Sequence, residues 1–396
     1  MSELCLSGIT WNHSRALPPL VAASQRFAEL HPGTKISWEA RSLDEFGHAD
    51  ITALSSQYDL LIIDHPMMGD VRQSGALIDL QPLLPAGALA EMESDALGEC
   101  LASYRYEDSL YALPIDAATP TASFRADLLE RASVEAPSSW DQLLDLAQRG
   151  LVRMPGFPAD LFLNFMGMCV SMGSPVADGD CLFEPRIASL CLEQLGVLAS
   201  FMPRTIYAMN PIAIYEAMAS GNEFAYCPFA YSYSNYARPG FAAHSLVFAH
   251  PVPLPDGTPQ RTVLGGTGIA VSARNTHLKE AVEFCLFVSG RDCQRHLYGI
   301  CQGQPARASA WRDPLLNRIS NDFFERTLVT MQTAYVRPRY PGYIALQRAA
   351  GEPIAEYLRQ EITLARALER LNALYRQSLA GATSSPVAQV AQVALP

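Results

Sequence analysis

Several polar and aromatic side chains of this chain come directly after predicted strands. They are the segments Trp11-Asn12-His13 and Asp64-His65, together with Asp116. Ligands of open α/β sheets bind beyond the carboxyl ends of the strands. There a carboxylate can accept two hydroxyl hydrogen bonds, an amide can donate and accept, and an indole offers a flat apolar face. The pattern therefore predicts a binding site for a small polar molecule.

Each of these residues also has a structural interpretation. Asp64 can cap the following helix, His65 can pack in the interior, and Trp11 can lie in the core beneath the first helix. Asp116 can be a hinge residue. For Asp64, its position after a strand favours ligand contact. For the other residues we keep both interpretations open.

The elements before these residues have a clear periodicity. Residues 4–10 are strand-like, and apolar residues at helical spacing predict a helix over 16–30. A second strand over 35–40 and a helix around 43–56 lead into Tyr58–Ile63, which is almost wholly apolar, as expected of a strand covered on both faces. This β-α-β-α-β order predicts a doubly wound sheet. Residues 120–262 are predicted to be mostly helical.

The glycine segment Gly265-Gly266-Thr267-Gly268 could suggest a phosphate loop. Its spacing is not that of G-x-G-x-x-G, and no Lys-Ser/Thr pair follows it, so nucleotide binding is disfavoured. Glycines also allow close approach of two backbones. We therefore expect a crossover between lobes, a binding loop that includes Gly266 and Thr267, or both.

Two further groups could contact a ligand. Tyr231 and Tyr233 lie on one side of the chain if their segment is extended, although an interior aromatic cluster is the alternative. Arg337 and Arg339 could hold the carboxylate of an acidic ligand, although a solvated basic turn is favoured.

Composition excludes several classes of function. The formal net charge of −11 argues against a nucleic-acid partner and against anchoring to anionic lipid. There is no apolar run of transmembrane length, and the first ten residues show no signal peptide.

The nine cysteines lack paired spacing and would suit a reducing compartment. No metal-ligand spacing and no nucleophile elbow is present, so we predict no metal site, no cofactor and no catalysis.

Several motifs, in order, resemble the solute-binding proteins of bacterial ABC importers, of the carbohydrate-binding, maltose-binding-protein-like type. The motifs are Tyr111–Pro114, Phe124–Leu128, Pro137–Leu143, Gly265–Ser272, Phe284–Ser289 and Gln302–Pro305. The resemblance implies an α/β, two-lobed periplasmic-binding-protein fold of type II. In such a fold the ligand cleft lies between the lobes and hinge crossings connect them. It also adds Gln304 to the candidate ligand-binding residues.

The same resemblance implies the domain organisation. We expect an N-terminal lobe of residues 1–116 and 264–310 and a C-terminal lobe of 118–262 and 313–380, each with a partly parallel sheet. The chain would cross between lobes near residues 117, 263 and 311. Residues 381–396 are predicted to form a disordered tail.

The implied function is capture of a small polar solute, a sugar or polyol, by hinge closure and its delivery to an ABC permease in the membrane. The protein would be a periplasmic monomer that is not an enzyme. The absence of a visible leader and the nine thiols keep an alternative open, namely a cytosolic small-molecule sensor or enzyme accessory of the same fold.

Overall fold

The computed structural model describes residues 4–42 and 50–383, which form two compact units. Unit 1 comprises Met1–Ala118, Tyr233–Asn235 and Leu264–Gln332. Unit 2 comprises Thr119–Ser232, Tyr236–Val263 and Thr333–Pro396. The predicted tail lies outside the described residues from position 384 onward.

The described residues contain strands in both units. They are β1 (Leu4–Trp11), β2 (Thr34–Arg41), β3 (Leu60–Ile63), β4 (Arg105–Tyr106), β5 (Ser109–Leu110), β6 (Leu113–Ala118), β7 (Pro120–Phe124), β8 (Tyr226–Tyr231), β9 (Val247–Ala249) and β10 (Gly265–Val271). In unit 1 the main sheet has the order β2-β1-β3-β10-β6, and β4 pairs with β5. β1 is parallel to β2 and β3, whereas β10 is antiparallel to β3 and β6.

Helices cover the unit 1 sheet. Those described are Leu17–Leu30, Ile51–Ser55, Met68–Ser74, Ala88–Ser94, Cys100–Ser103, Leu278–Ser289, Arg291–Cys293, Ala308–Trp311, Pro314–Ile319 and Phe323–Gln332. The helix Leu17–Leu30 begins with prolines in its first turn and buries Leu20, Ala23 and Phe27 at helical spacing. The whole of β3 is buried. The predicted β-α-β-α-β order is confirmed, although residues 43–49 of the predicted second helix lie outside the described residues.

Unit 2 is built mainly of helices. Those described are Ala126–Arg131, Trp140–Gln148, Pro158–Ser171, Pro185–Ser200, Pro211–Ser220, Tyr343–Leu358 and Leu364–Thr383. Its sheet has the order β8-β7-β9, and both strand pairs are antiparallel. The expectation of a partly parallel sheet in this lobe was wrong, because the two partners of β7 come from distant segments that run opposite to it.

The boundaries of the units also differ from the expected ones. The last crossing lies at 332/333 rather than near 311. The reason is aromatic packing, since Trp311 contacts Phe323 and Phe324 with ring centroids 6.1 and 5.3 Å apart. These contacts keep the two following helices in unit 1. The short segment Tyr233–Asn235, expected in the second lobe, also belongs to unit 1.

A buried ion pair joins two distant parts of unit 1. Arg15, in the turn after β1, donates from Nε to Oδ2 of Asp116 in β6 over 2.8 Å, and its Nη2 bonds to Oδ1. The Arg15 and Asp116 side chains are only 5% and 0% exposed. Burial alone would lower the pKa of Arg15, but the Asp116 carboxylate outweighs it, and the pKa lies above its ordinary value. The pair therefore fixes the β1 turn against β6.

β10 approaches β6 very closely at Gly266. This residue has φ +103°, and a Cβ added to it would lie 2.2 Å from the backbone oxygen of Asp116. Gly266 pairs with Ala117 in the antiparallel ladder. Only glycine combines this torsion with this approach, so the glycine preserves the register that places Thr267 opposite Asp116.

We expect Arg15→Met to lower the free energy of unfolding by about 3–5 kcal/mol, because it leaves the Asp116 carboxylate buried and unpaired. The double variant Arg15→Met/Asp116→Leu should recover most of this loss, since no charge then remains buried. Urea titration of both single variants and the double variant gives the coupling energy. If the double variant lost as much free energy of unfolding as the two single variants together, the prediction would be contradicted.

We expect Gly266→Ala to destabilise the protein more than Gly33→Ala, which is a matched control. Gly33 has a similar φ of +97° but nothing within 4 Å of an added Cβ. Gly33→Ala should therefore cost about 1–2 kcal/mol from backbone strain alone. The clash at Gly266 should add roughly 1–3 kcal/mol. If urea titrations gave the same loss of unfolding free energy for the two variants, the close approach of β10 to β6 would add no cost.

Candidate functional site

The predicted strand-end residues of unit 1 lie at one edge of its main sheet. β1 and β3 are parallel, so Asn12 and Asp64 follow strands that end at the same edge. Because β10 is antiparallel to β3, its beginning lies there too, with Gly268 opposite Ile63. Thr267 lies opposite Asp116 of β6. We call this set of strand ends the strand-end edge.

Three polar residues of the strand-end edge are accessible. Asn12 is exposed, and His13 and Asp64 are half-buried. His13 accepts a hydrogen bond at Nδ1 from the backbone N–H of Arg15 over 3.0 Å. Burial, and after it the charge of Arg15, lower the pKa of His13 to about 4. His13 is therefore neutral at pH 7, with its proton on Nε2 as a hydrogen-bond donor.

Asp64 caps the turn that follows it, which was the structural alternative to ligand contact. Its Oδ1 accepts from the backbone N–H of His65 over 2.8 Å and caps the short 3₁₀ turn His65–Met67. The Asp64 side chain nevertheless keeps 26% of its surface exposed. His65 is only 1% exposed, and its ring packs edge-on against Tyr104. His65 therefore packs in the interior, as its structural alternative predicted, because the 3₁₀ turn directs the imidazole inward.

Trp11 does not offer an exposed face. It is the last residue of β1, is 4% exposed, and belongs to the hydrophobic core of unit 1. The expectation of an exposed indole was wrong, because the end of β1 is buried on both of its sides, with Thr10 0% and Trp11 4% exposed.

Tyr231 and Tyr233 are not neighbours on one extended segment. β8 ends at Tyr231, which is half-buried in unit 2, whereas Tyr233 is buried and belongs to unit 1. The Tyr233 ring lies 4.7 Å from the guanidinium carbon of Arg15 and contacts His13 edge-on at 4.8 Å between centroids. The predicted shared orientation fails because the strand stops between the two residues.

Gln304 is fully buried and joins three segments of unit 1. Its Nε2 donates to the backbone oxygen of Ala117 over 2.7 Å, and its Oε1 accepts from the backbone N–H of Ser234 over 3.0 Å. Its backbone oxygen also accepts from the N–H of Ala117. Gln304 therefore holds the Tyr233–Asn235 segment beside β6, which explains why this segment belongs to unit 1.

The remaining members of the strand-end edge differ in exposure. Gly266 is half-buried, whereas Thr267 and Asp116 are buried. Within the described part of the chain, Oγ1 of Thr267 has no hydrogen-bond partner. Both oxygens of Asp116 contact Arg15. Arg15 was not among the predicted site residues, although it lies only two residues after His13 in the same strand-end segment.

Arg337 and Arg339, the candidate residues for an acidic ligand, lie in unit 2. Arg337 is 3% exposed and donates from Nη1 to Oε1 of Gln347 over 3.0 Å. The expectation of a solvated turn was therefore wrong for Arg337, since its side chain is buried. Arg339 is half-buried.

Among residues 4–42 and 50–383, no group of three or more His, Cys, Asp or Glu side chains could hold a metal ion. None of the helices in the same ranges is both long and apolar enough to cross a membrane.

Comparison with known proteins gives a family match over part of the chain and a fold for nearly all of it. The model of the family described as bacterial extracellular solute-binding protein matches residues 10–191. Maltose-bound MalE3 of T. maritima is 17% identical, with a TM-score of 0.78 over 94% of this chain and 99% of that chain. The ribitol complex of an ABC transporter solute-binding protein from Agrobacterium radiobacter K84 is 20% identical, with a TM-score of 0.79 over 95% and 99%.

A third structure agrees with these two. The GacH receptor of Streptomyces glaucescens GLA.O, which was solved unliganded and with acarbose, is 20% identical, with a TM-score of 0.78 over 96% of this chain and 99% of that chain. The resemblance to bacterial extracellular solute-binding proteins is therefore confirmed by the family match over residues 10–191, and the chain has the α/β, two-lobed fold of the maltose-binding-protein-like structures.

Proposed function

We propose that this chain is the substrate-binding component of an ABC transporter and that its solute is an uncharged sugar or polyol. The observation that carries the proposal is the strand-end edge of unit 1, where Asn12, His13 and Asp64 are accessible together. The family match supports the binding role. The maltose, ribitol and acarbose complexes of the structural neighbours support the solute class.

The chemistry of these three side chains suits hydroxyl groups. The Asp64 carboxylate accepts from hydroxyls, the Asn12 amide donates and accepts, and His13 donates from Nε2. Arg15, the nearest cation along the chain, has its charge matched by Asp116. An anionic solute would therefore gain little from Arg15 and would meet the negative charge of Asp64. This balance favours a neutral polyhydroxyl compound.

The proposal includes the rest of the transport role. The protein acts by binding without catalysis, undergoes hinge closure on the solute as the family resemblance implies, and delivers the solute to a membrane permease. It works as a monomer in the periplasm, in line with a family described as extracellular.

We expect maltose, ribitol or a related sugar or polyol to raise the melting temperature of the purified protein. A solute at about 100 times its Kd stabilises by roughly 2.7 kcal/mol. Asp64→Asn should then weaken the binding of that solute by about 10- to 100-fold in calorimetry, because hydrogen bonds to a charged acceptor contribute about 1.5–3 kcal/mol.

Asp50→Asn is the matched control for this measurement. Asp50 also caps a helix in unit 1, by accepting from the N–H of Thr52 over 2.8 Å, but that helix precedes β3 and lies toward the opposite end of the strand. Affinity should not change in this variant. No stabilisation by any sugar or polyol would overturn the proposed function. Equal affinity in both variants would remove Asp64 from the site.

We expect His13 to make the protein less stable in acid. Its pKa in the folded protein is about 4, below the ordinary value of 6.5, so the unfolded chain binds the proton more tightly. The stabilisation is complete above pH 6.5 and is lost as pH falls toward 4. Urea titrations from pH 7 to 4 should show a smaller loss in His13→Gln than in the natural protein. His296→Gln, at an exposed position, should show the natural loss.

A further inference from the structure

The short segment Tyr233–Asn235, which we call the strap, belongs to unit 1, although its neighbours along the chain, Ser232 and Tyr236, belong to unit 2. All three strap residues are buried. Just before the strap, the backbone N–H of Ser232 donates to the oxygen of Thr119 over 3.2 Å. Just after it, the Tyr236 hydroxyl donates to Oε1 of Glu216. The strap is therefore anchored at both of its ends, and its contacts with unit 1 depend on its own three residues.

Hydrogen bonds hold the strap on two parts of unit 1. The backbone N–H of Ser234 donates to Oε1 of Gln304 over 3.0 Å, and Gln304 is itself bonded to β6. Nδ2 of Asn235 lies 3.3 Å from Oγ of Ser14, in the turn after β1. The same nitrogen lies 3.3 Å from Oε1 and 3.4 Å from the backbone oxygen of Gln302. The strap thus joins β6 to the turn after β1.

The strap places the Tyr233 ring against the His13 imidazole. The two rings meet edge-on, with centroids 4.8 Å apart and an angle of 68° between their planes. At Nδ1 the imidazole accepts a hydrogen bond from the backbone N–H of Arg15. This bond fixes one atom of the imidazole but still permits the ring to tilt about it, and the neighbouring Tyr233 ring limits the tilt. His13 therefore owes its orientation to two contacts from distant parts of the chain.

We propose that Tyr233 is a positioning residue for the solute. Through the edge-on contact it holds the His13 imidazole in the orientation that presents the Nε2 donor to a hydroxyl group. Tyr233 is only 5% exposed, so its own ring has little surface to offer a ligand. The inference rests on the proposed function, since the contact of His13 with a solute is part of that proposal.

The docking of the strap on unit 1 has costs as well as gains. Among the described residues, Oγ of Ser234 and Oδ1 of Asn235 are buried without a hydrogen-bond partner. Unpaired polar atoms in the interior oppose docking, whereas the bond to Gln304 and the ring contact with His13 favour it. A solute that bonds to the positioned His13 binds the docked state more tightly, and a ligand shifts the population toward the state that it binds better. Solute binding should therefore strengthen the docking of the strap.

The first test measures the pKa of His13 in the solute-free protein, by NMR titration of the imidazole C–H signals that disappear in His13→Gln. The groups that face His13 are Arg15, which is paired with Asp116, and Tyr233. Because burial is the main cause of the low pKa of His13, Tyr233→Leu should raise it from about 4 toward 6.5. Gln304→Met keeps the Tyr233 ring but removes the bond to the strap, and it should raise the pKa of His13 as well.

Phe183→Leu is the matched control for the loss of a buried ring. Phe183 contacts Phe165 edge-on at 5.2 Å between centroids, but it lies in the core of unit 2. This variant should leave the pKa of His13 at its natural value. An unchanged pKa in Tyr233→Leu would overturn the positioning role, and an unchanged pKa in Gln304→Met would show that the strap does not hold the ring.

The second test measures the affinity for a sugar or polyol that stabilises the natural protein. Tyr233→Leu should weaken binding by about 3- to 10-fold, the usual contribution of an aromatic contact, and Tyr233→Phe should restore most of the loss because it keeps the ring. The solute should also slow hydrogen exchange of the Ser234 amide, which donates to Gln304. An exchange rate that the solute does not change would overturn the link between binding and docking.

The two tests separate this proposal from the proposed function. A sugar that binds Tyr233→Leu with the natural affinity would overturn the positioning role and leave the binding function intact. If no sugar or polyol binds, the proposed function fails and the role toward a solute fails with it. A raised pKa of His13 in Tyr233→Leu would even then show that Tyr233 holds the imidazole.

Discussion

The buried pair of Arg15 and Asp116 is the interaction on which the arrangement of unit 1 depends. Two charges removed from water are stable only if each satisfies the other in good geometry. The turn after β1 must therefore lie where Arg15 reaches β6. Tyr233 covers the guanidinium, and Gln304 bonds to both Ala117 and Ser234, so the segment Tyr233–Asn235 is fixed beside the same strand.

This constraint also shapes the chemistry of the strand-end edge. Because Arg15 and Asp116 neutralise each other, Arg15 adds little net charge beside the amide, imidazole and carboxylate groups of the edge. The bond from the Arg15 backbone to His13 Nδ1 orients that imidazole with its donor nitrogen away from the turn. The same segment thus provides structural support and accessible polar groups, and it does so with residues adjacent in the sequence.

Local patterns predicted the fold of unit 1 better than that of unit 2. Apolar spacing in Leu17–Leu30 and the apolar run of β3 are properties of contiguous residues, so the β-α-β-α-β order was visible. The antiparallel sheet of unit 2 depends on which distant segments pair with β7, and no contiguous pattern encodes that choice. The last crossing was misplaced for a similar reason, because Trp311 retains its following helices through aromatic contacts.

The sequence by itself determined that polar residues follow strands at Asn12, His13 and Asp64, since strand ends and turn residues are local features. It also carried the family motifs. Only the tertiary structure decided which of the candidates are accessible. Trp11 faces the core, Tyr233 covers Arg15, and Asp116 bonds to a residue 101 positions away. The physical reason is that burial and ion pairing depend on contacts between distant segments, which the spacing of residues along the chain does not specify.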